Sequence, residues 1–422
     1  MPDISRKIDL FTDSVIARMS KVAEACGAIN LAEGFPDFPP PQAMRDRLSE
    51  VAQAGPHQYS MDNGAANLRQ AMADCRRMFT GQTIDPEREV VVTCGGTEAL
   101  MAAMMTLVDP GDKVILFSPF YEAYSTDALL CGAEPVYVSL REPDYTFDAD
   151  ELEAAFKQHP KAIFLCNPSN PCGKVFSREE LMTIAKLVEK YDAFVVIDEV
   201  YEHIIYEPTQ YTYFSTLPGM YERTLCCGSL SKTYSITGWR LGYIFASPAL
   251  TDAIKKLHVY LTISAPSPLQ EAAVTGLRFG RDYYDGLRAM YTCKRDFVMK
   301  RLDDIGIGHN VPQGAFYMLV DIGGYGYDDD EAFCRDLAEK VGVALVPAST
   351  FFIEPVHHLA RLQFAVRDET LEKAMERLEN ISLLKKISCL WQPGGGIFDE
   401  KVADSLRSTL YQRIESDSLC CR

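Results

Sequence analysis

Short apolar segments that alternate with helical patterns constrain the fold of this chain more than any other feature. Four segments have the length and the β-branched character of buried strands, and they cover residues 90–93, 113–117, 162–166 and 193–197. Helical patterns over 99–108 and 181–191 lie between them. Strands connected in this way run parallel in one sheet, with helices on both faces. The sequence therefore predicts an α/β fold with a mostly parallel sheet.

Two turns that follow these strands carry groups suited to binding a ligand. Gly95-Gly96-Thr97 lies between a strand and a helix, where free backbone N–H groups can face an anion. Asp198 follows the strand 193–197, and open α/β sheets bind their ligands at the carboxyl ends of strands. An aspartate at this position could instead be the N-cap of a helix.

A third segment, Ser229-Leu230-Ser231-Lys232, combines an amine with hydroxyl groups, and Arg240 follows in the same loop. The Lys232 amine could form an imine with an aldehyde, while Ser229 and Arg240 could hold an anion. An isolated Ser-x-x-Lys is also compatible with a solvated surface loop. The segment alone does not decide between the two interpretations.

Arg361 stands inside the apolar segment 359–366, which has the pattern of a strand. An unpaired guanidinium in a core is costly, so either an acidic side chain or an anionic ligand is expected to meet it. Both alternatives are open from the sequence.

The charge and the cysteines exclude several classes of function. The 422 residues carry a formal net charge of −17, which argues against binding nucleic acid or an anionic membrane through bulk electrostatics. The 13 cysteines include no Cys-x-x-Cys, a pattern typical of reduced thiols and not of a disulfide framework or a metal site. No targeting segment is visible at the N-terminus, so we expect a cytoplasmic protein.

One cofactor would use all of these groups. Pyridoxal 5′-phosphate needs an amine for its aldehyde, donors for its phosphate, a carboxylate for its ring nitrogen and an aromatic surface for its ring. With these motifs the chain resembles the fold-type I aminotransferases of class I/II, and within them the branch of kynurenine/glutamine aminotransferases and cysteine-conjugate β-lyases. The matching motifs occur in family order over roughly residues 10–381: Gly34-Phe35-Pro36-Asp37-Phe38-Pro39-Pro40-Pro41, Gly95-Gly96-Thr97-Glu98-Ala99-Leu100, Asn167-Pro168-Ser169-Asn170-Pro171-Cys172-Gly173, Asp198-Glu199-Val200-Tyr201 and the Ser229 to Arg240 loop.

The resemblance implies a fold-type I PLP-transferase with a large, mostly parallel-sheet domain over 46–281 and a smaller α+β domain over 282–381. The N-terminal segment 1–45 would belong to the small domain. Residues 382–422, with a helical pattern over 402–414, would form a C-terminal appendage outside the resemblance. Cys172 stands where the family often has threonine, and we expect the turn to tolerate it.

The resemblance also implies roles for individual residues. Lys232 would bind the cofactor aldehyde and later move a proton, Asp198 would pair with the ring nitrogen, and Tyr201 would bond the phenolic oxygen. Further cofactor-binding positions are Gly95, Gly96, Thr97, Tyr121, Asn170, Ser229 and Arg240, together with Tyr59 acting on the neighbouring subunit of a homodimer. Substrate binding would fall to Arg361, Gly34 and Asn170.

The function implied is transfer of an α-amino group from an amino acid to a 2-oxo acid by a ping-pong mechanism. A β-lyase acting on cysteine conjugates or cystathionine shares the same carbanion chemistry and is the alternative. A serine acyl-transfer enzyme using Ser229 and Lys232 would need Ser-Asp-Asn and Lys-Thr-Gly motifs, which the chain lacks. A regulator that has lost catalysis is disfavoured by the presence of Lys232, Asp198 and Arg361.

Overall fold

The computed structural model describes residues 3–385. Twelve β-strands lie in this part of the chain: β1 Ile29–Asn30, β2 Val90–Thr93, β3 Lys113–Ser118, β4 Glu134–Ser139, β5 Ala162–Cys166, β6 Phe194–Asp198, β7 Thr224–Ser229, β8 Gly242–Phe245, β9 Tyr317–Asp321, β10 Val343–Ala344, β11 Val346–Pro347 and β12 Leu359–Gln363. The same residues form twelve α-helices: α1 Val15–Cys26, α2 Gln42–Ala54, α3 Ala66–Thr80, α4 Gly96–Leu107, α5 Ala123–Leu130, α6 Ala149–Phe156, α7 Arg178–Lys190, α8 Pro248–Leu261, α9 Ser267–Leu277, α10 Arg281–Asp304, α11 Asp330–Asp336 and α12 Asp368–Leu378.

Seven strands form the main sheet in the order β2-β8-β7-β6-β5-β3-β4. Strand β8 pairs antiparallel with both of its neighbours, and the other pairings are parallel. The predicted α/β fold with a mostly parallel sheet is therefore confirmed. The same direction is shared by the strands β2, β3, β5, β6 and β7. The turns that follow them therefore meet at the carboxyl ends of the strands.

Alternate residues of the buried strands face opposite sides of this sheet, as the period of a strand requires. In β5, Ile163 and Leu165 belong to one apolar core, whereas Ala162 and Phe164 belong to the core on the other face. Burial on both faces explains why these strands read as continuous apolar runs in the sequence.

A third core surrounds the antiparallel sheet β11-β12-β9. Helix α10 contributes to two cores, since Tyr284 packs in a core of the main sheet and Tyr291 packs around β9. The N-terminal strand β1 pairs in parallel with β10. The domain boundaries at 45/46 and 281/282 stay a prediction.

The local sequence pattern also predicts a helix over 10–25, a strand over 344–346 and a helix over 329–341, and these three elements differ in the structure. The helix predicted over 10–25 begins at Val15, because Ser14 caps it by accepting a hydrogen bond from the Ala17 N–H at 3.4 Å. The strand predicted over 344–346 is divided, because β10 pairs with β1 and β11 pairs with β12. The helix predicted over 329–341 ends as α-helix at Asp336 and continues as one π-helical turn, Leu337–Val341.

No helix within residues 3–385 is long and apolar enough to cross a membrane. The predicted helix over 402–414 and the appendage from residue 386 onward lie outside the described residues.

Candidate active site

A cleft of about 400 Å³ opens where the carboxyl ends of the parallel strands meet. Eleven of the residues predicted for the site line it: Gly34, Gly96, Thr97, Tyr121, Asn170, Asp198, Tyr201, Ser229, Lys232, Arg240 and Arg361. Gly95 adjoins the cleft, directly before Gly96. Tyr59 does not line it, and its side chain is 77% exposed. The structure thus brings together segments that lie more than 300 residues apart in the chain.

Lys232 follows β7 and is half-buried, with its amine donating a hydrogen bond to the backbone oxygen of Gly34. Burial lowers the pKa of this amine, and the nearby cations Arg361 and Arg240 act in the same direction, to a value of about 8. An amine with this pKa is partly neutral near neutral pH, as a nucleophile or a base must be. A solvated surface loop does not account for this environment.

Asp198 is the last residue of β6 and is buried. One oxygen, Oδ2, accepts a hydrogen bond from the Tyr124 hydroxyl at 2.7 Å, and Oδ1 accepts one from the Val200 N–H at 3.0 Å. Burial raises the pKa of the carboxyl, while these two hydrogen bonds oppose the rise. The N-cap interpretation is wrong, because no helix of the described chain begins directly after Asp198; the next helical turn is Phe214–Thr216.

Arg361 lies in β12 and is completely buried. Its Nη1 donates to Oδ1 of Asn170 at 2.9 Å, and its Nη2 donates to the backbone oxygen of Ala32 at 2.5 Å. The Nε atom is buried without a hydrogen-bond partner among the described residues. No carboxylate in residues 3–385 forms an ion pair with this guanidinium, so the alternative of an acidic side-chain partner is wrong.

The aromatic side chains around Arg361 complete this wall of the cleft. The Tyr317 ring lies 4.5 Å from the guanidinium carbon, and the hydroxyls of Tyr317 and Tyr201 are hydrogen-bonded at 2.8 Å. Burial raises the pKa of both tyrosines, so their hydroxyls remain protonated donors. Tyr121 stands at the cleft with its ring edge-on to Tyr124.

At the other end of the cleft, helix α4 begins at Gly96 with its first N–H groups free of helical acceptors. Gly95 has φ of 83°, and a Cβ atom there would lie 2.4 Å from Nη2 of Arg240, so this position requires glycine. Arg240 is held by donating to the backbone oxygen of Thr237 at 3.0 Å. A helix start, a guanidinium and the Ser229 hydroxyl form a site for a phosphate-sized anion.

Three contacts of the site were not predicted from the sequence. Tyr124 donates to Asp198, Tyr317 bonds Tyr201, and Ser231 lines the cleft beside Ser229, whose hydroxyl bonds that of Ser231 at 2.8 Å. Ser231 could have been found, since it precedes the lysine directly. The roles of the two tyrosines depend on contacts over 74 and 116 residues of chain, for which the sequence holds no local signal.

The donor set fits pyridoxal 5′-phosphate. Asp198 is a buried carboxylate without a cationic partner in the described chain, Lys232 is an amine of lowered pKa, and α4 offers free N–H groups. The unpartnered Nε of Arg361 fits a carboxylate that arrives with a substrate.

Comparisons with known proteins agree with this chemistry. The model of the family described as aminotransferase class I and II matches residues 27–378. A probable N-succinyldiaminopimelate aminotransferase of Mycobacterium tuberculosis is 36% identical over 382 residues, which cover 87% of this chain and 96% of the relative. Human kynurenine–oxoglutarate transaminase 1 is 31% identical, covering 89% of this chain and 97% of the relative.

Solved structures give the same result. That of a methionine aminotransferase from Escherichia coli superposes with a TM-score of 0.86 at 34% identity, covering 90% of this chain and 100% of that one. The fold-type I architecture and the use of pyridoxal phosphate follow from these similarities. The chain belongs to the class I and II aminotransferases, the pyridoxal-phosphate-dependent enzymes that transfer amino groups between amino acids and 2-oxo acids.

Proposed function

We propose that the cleft is the transamination site and that Lys232 carries its chemistry. The observation that supports this most is a lysine of lowered pKa in one cleft with a buried carboxylate and a buried arginine. The cofactor, when bound, supplies an aldehyde that takes up the amino nitrogen and a ring that withdraws electrons from the substrate Cα. The amine of Lys232 would hold that aldehyde, and as a free amine it would take a proton from the substrate Cα and return it.

Asp198, as a carboxylate, would hold the ring nitrogen of the cofactor in its protonated form. The Tyr124 hydroxyl and the Val200 N–H stabilise the carboxylate against its burial. Asn170 and Tyr201 would hold the phenolic oxygen of the cofactor, and Tyr121 would hold its ring.

The N–H groups of Gly96 and Thr97 at the start of α4, next to the turn at Gly95, would hold the phosphate of the cofactor. Ser229 adds a hydroxyl, and Arg240 adds a charge-assisted hydrogen bond.

Arg361 binds the α-carboxylate of the substrate, because its buried guanidinium has no carboxylate partner within residues 3–385. The Gly34 backbone lies on the same side of the cleft and contributes to substrate binding. Because the amino acid must leave as a 2-oxo acid before the acceptor enters, the kinetics are ping-pong. The β-lyase alternative has no structural observation in its favour.

We also propose that the active unit is a homodimer in which Tyr59 reaches the phosphate site of the partner. Large side chains are exposed on the loop 55–65 and at the C-terminal end of α8, with Tyr260 at 92%, Tyr59 at 77% and Met61 at 56%. Both segments lie close to the phosphate site, since Gln270 bonds Ser60 and the Cys94 thiol contacts the Ser264 backbone oxygen, just after α8. Sedimentation of the wild type and of Tyr260→Asp measures the oligomeric state. A wild-type protein that is monomeric and fully active contradicts the proposed dimer.

We further propose a cytoplasmic location, which the ten free cysteines among residues 3–385 support.

The central experiment is Lys232→Ala, with the exposed Lys186→Ala as its matched control. We expect Lys232→Ala to lose the visible absorbance of covalently bound cofactor and at least about 1000-fold in kcat. Lys186→Ala should behave like wild type in both measurements. Normal turnover by Lys232→Ala would show that Lys232 does not have this role.

A further inference from the structure

One part of the cleft wall is not used by the cofactor and carboxylate roles above. It is built from the N-terminal segment and from the residue that follows Tyr121: Ser14, Ile16, Ala17, Glu33, Phe35 and Glu122. When Arg361 binds the α-carboxylate of a substrate and the Cα lies near Lys232, the substrate side chain contacts this part of the wall.

The position of Glu122 is set by a contact with the N-terminal segment. Ser14 donates its hydroxyl hydrogen to Oε1 of Glu122 and accepts from the Ala17 N–H as the cap of α1. Although Glu122 precedes α5, its side chain makes no capping hydrogen bond there. The carboxylate is instead directed at the start of α1, where the helix dipole favours a negative charge.

Glu33 is a second carboxylate on the same wall, where it accepts a hydrogen bond from the Ser20 hydroxyl at 3.0 Å. Within residues 3–385, neither Glu33 nor Glu122 forms an ion pair with a lysine, arginine or histidine. The cations that line the cleft are Lys232, Arg240 and Arg361, and each already has a role in the proposed function.

A substrate side chain therefore meets apolar groups and unpaired negative charge. A distal carboxylate there would face like charge without a cation from this chain, whereas an apolar side chain or one ending in an N–H donor fits. We propose that Glu122, held by Ser14, is a specificity-determining residue, an inference that rests on the proposed function. Glu122 rejects amino acids with a second carboxylate and favours apolar or amide side chains.

The test compares glutamine with glutamate, which have the same shape and differ in the distal charge. Each is mixed alone with the cofactor-loaded protein, and the absorbance change of the first half-reaction is followed. We expect the wild type to prefer glutamine by about 100-fold in the second-order rate constant, and Glu122→Gln to reduce that preference to less than about 10-fold. Asp13→Asn is the matched control, because Asp13 is an exposed carboxylate next to Ser14. This variant should prefer glutamine over glutamate to the same extent as the wild type.

A binding measurement gives a second readout that does not depend on turnover. Glutarate and glutaramate lack the α-amino group, so they bind without reacting. Calorimetry should show tighter binding of glutaramate in wild type and a smaller difference in Glu122→Gln. Equal reactivity of glutamate and glutamine in wild type, or an unchanged preference in Glu122→Gln, overturns the inference. If no amino acid reacts in any variant, the proposed function fails, and the calorimetric pair alone decides the role of Glu122.

Discussion

The pH dependence of cofactor capture by Lys232 tests the electrostatics of the site most directly. Only the neutral amine attacks an aldehyde, so capture should become faster as the pH rises through the pKa of Lys232. With the pKa lowered from 10.5 to about 8, the amine is far more reactive than that of an exposed lysine. At pH 7.5 about one-quarter of such amines are neutral, compared with about one in a thousand for an ordinary lysine.

The informative perturbation is Arg361→Gln, which removes one of the cations that lower this pKa. Loss of a nearby positive charge favours the protonated amine, so the pKa of Lys232 must rise. A unit charge several ångströms away at an effective dielectric of about 20 contributes about 1–2 kcal/mol, which corresponds to about one pH unit. Capture by Arg361→Gln at pH 7.5 should therefore be about tenfold slower than capture by wild type.

The assay is rapid mixing of cofactor-free protein with pyridoxal phosphate between pH 6 and 10, with the visible absorbance as readout. We expect the midpoint of the rate profile near pH 8 in wild type and at higher pH in Arg361→Gln. Titration of the cofactor itself cancels in this comparison, and Arg288→Gln, at a half-buried side chain, serves as a control for an unrelated loss of charge. A midpoint that is unchanged or lower in Arg361→Gln would refute the reasoning.

Two further substitutions test contacts of the site. Tyr124→Phe removes the hydrogen bond to Asp198, which costs about 1.5–3 kcal/mol. We therefore expect kcat to fall about 10- to 100-fold with little change in KM. An unchanged kcat in steady-state assays contradicts this role of Tyr124. Gly34→Ala places a Cβ atom 2.0 Å from the hydroxyl oxygen of the buried Tyr317. Urea unfolding should therefore show a loss of about 1–3 kcal/mol in the free energy of unfolding. The control Gly286→Ala has open space around the added Cβ and should be neutral or slightly stabilising.

Much of the main sheet could be predicted from local pattern. A strand buried on both faces is apolar along its whole length, and a capping pair such as Ser177 and Glu180 marks the start of α7. The parallel order of the strands then brings Gly96, Asp198 and Ser229 to one edge of the sheet without further information.

The surroundings of these residues depended on the tertiary structure. From the sequence, Arg361 could have met either an acidic side chain or a ligand, and the fold gives it Asn170 and the Ala32 backbone, 191 and 329 residues away. Glu122 precedes a helix in the sequence, yet its partner is Ser14, 108 residues earlier. Periodicity reports which face of an element is buried, whereas the partner of a polar group depends on how distant elements pack. The sequence by itself therefore determined the alternation of strands and helices and the chemistry available, and the packing decided which charges in the cleft are left for a substrate.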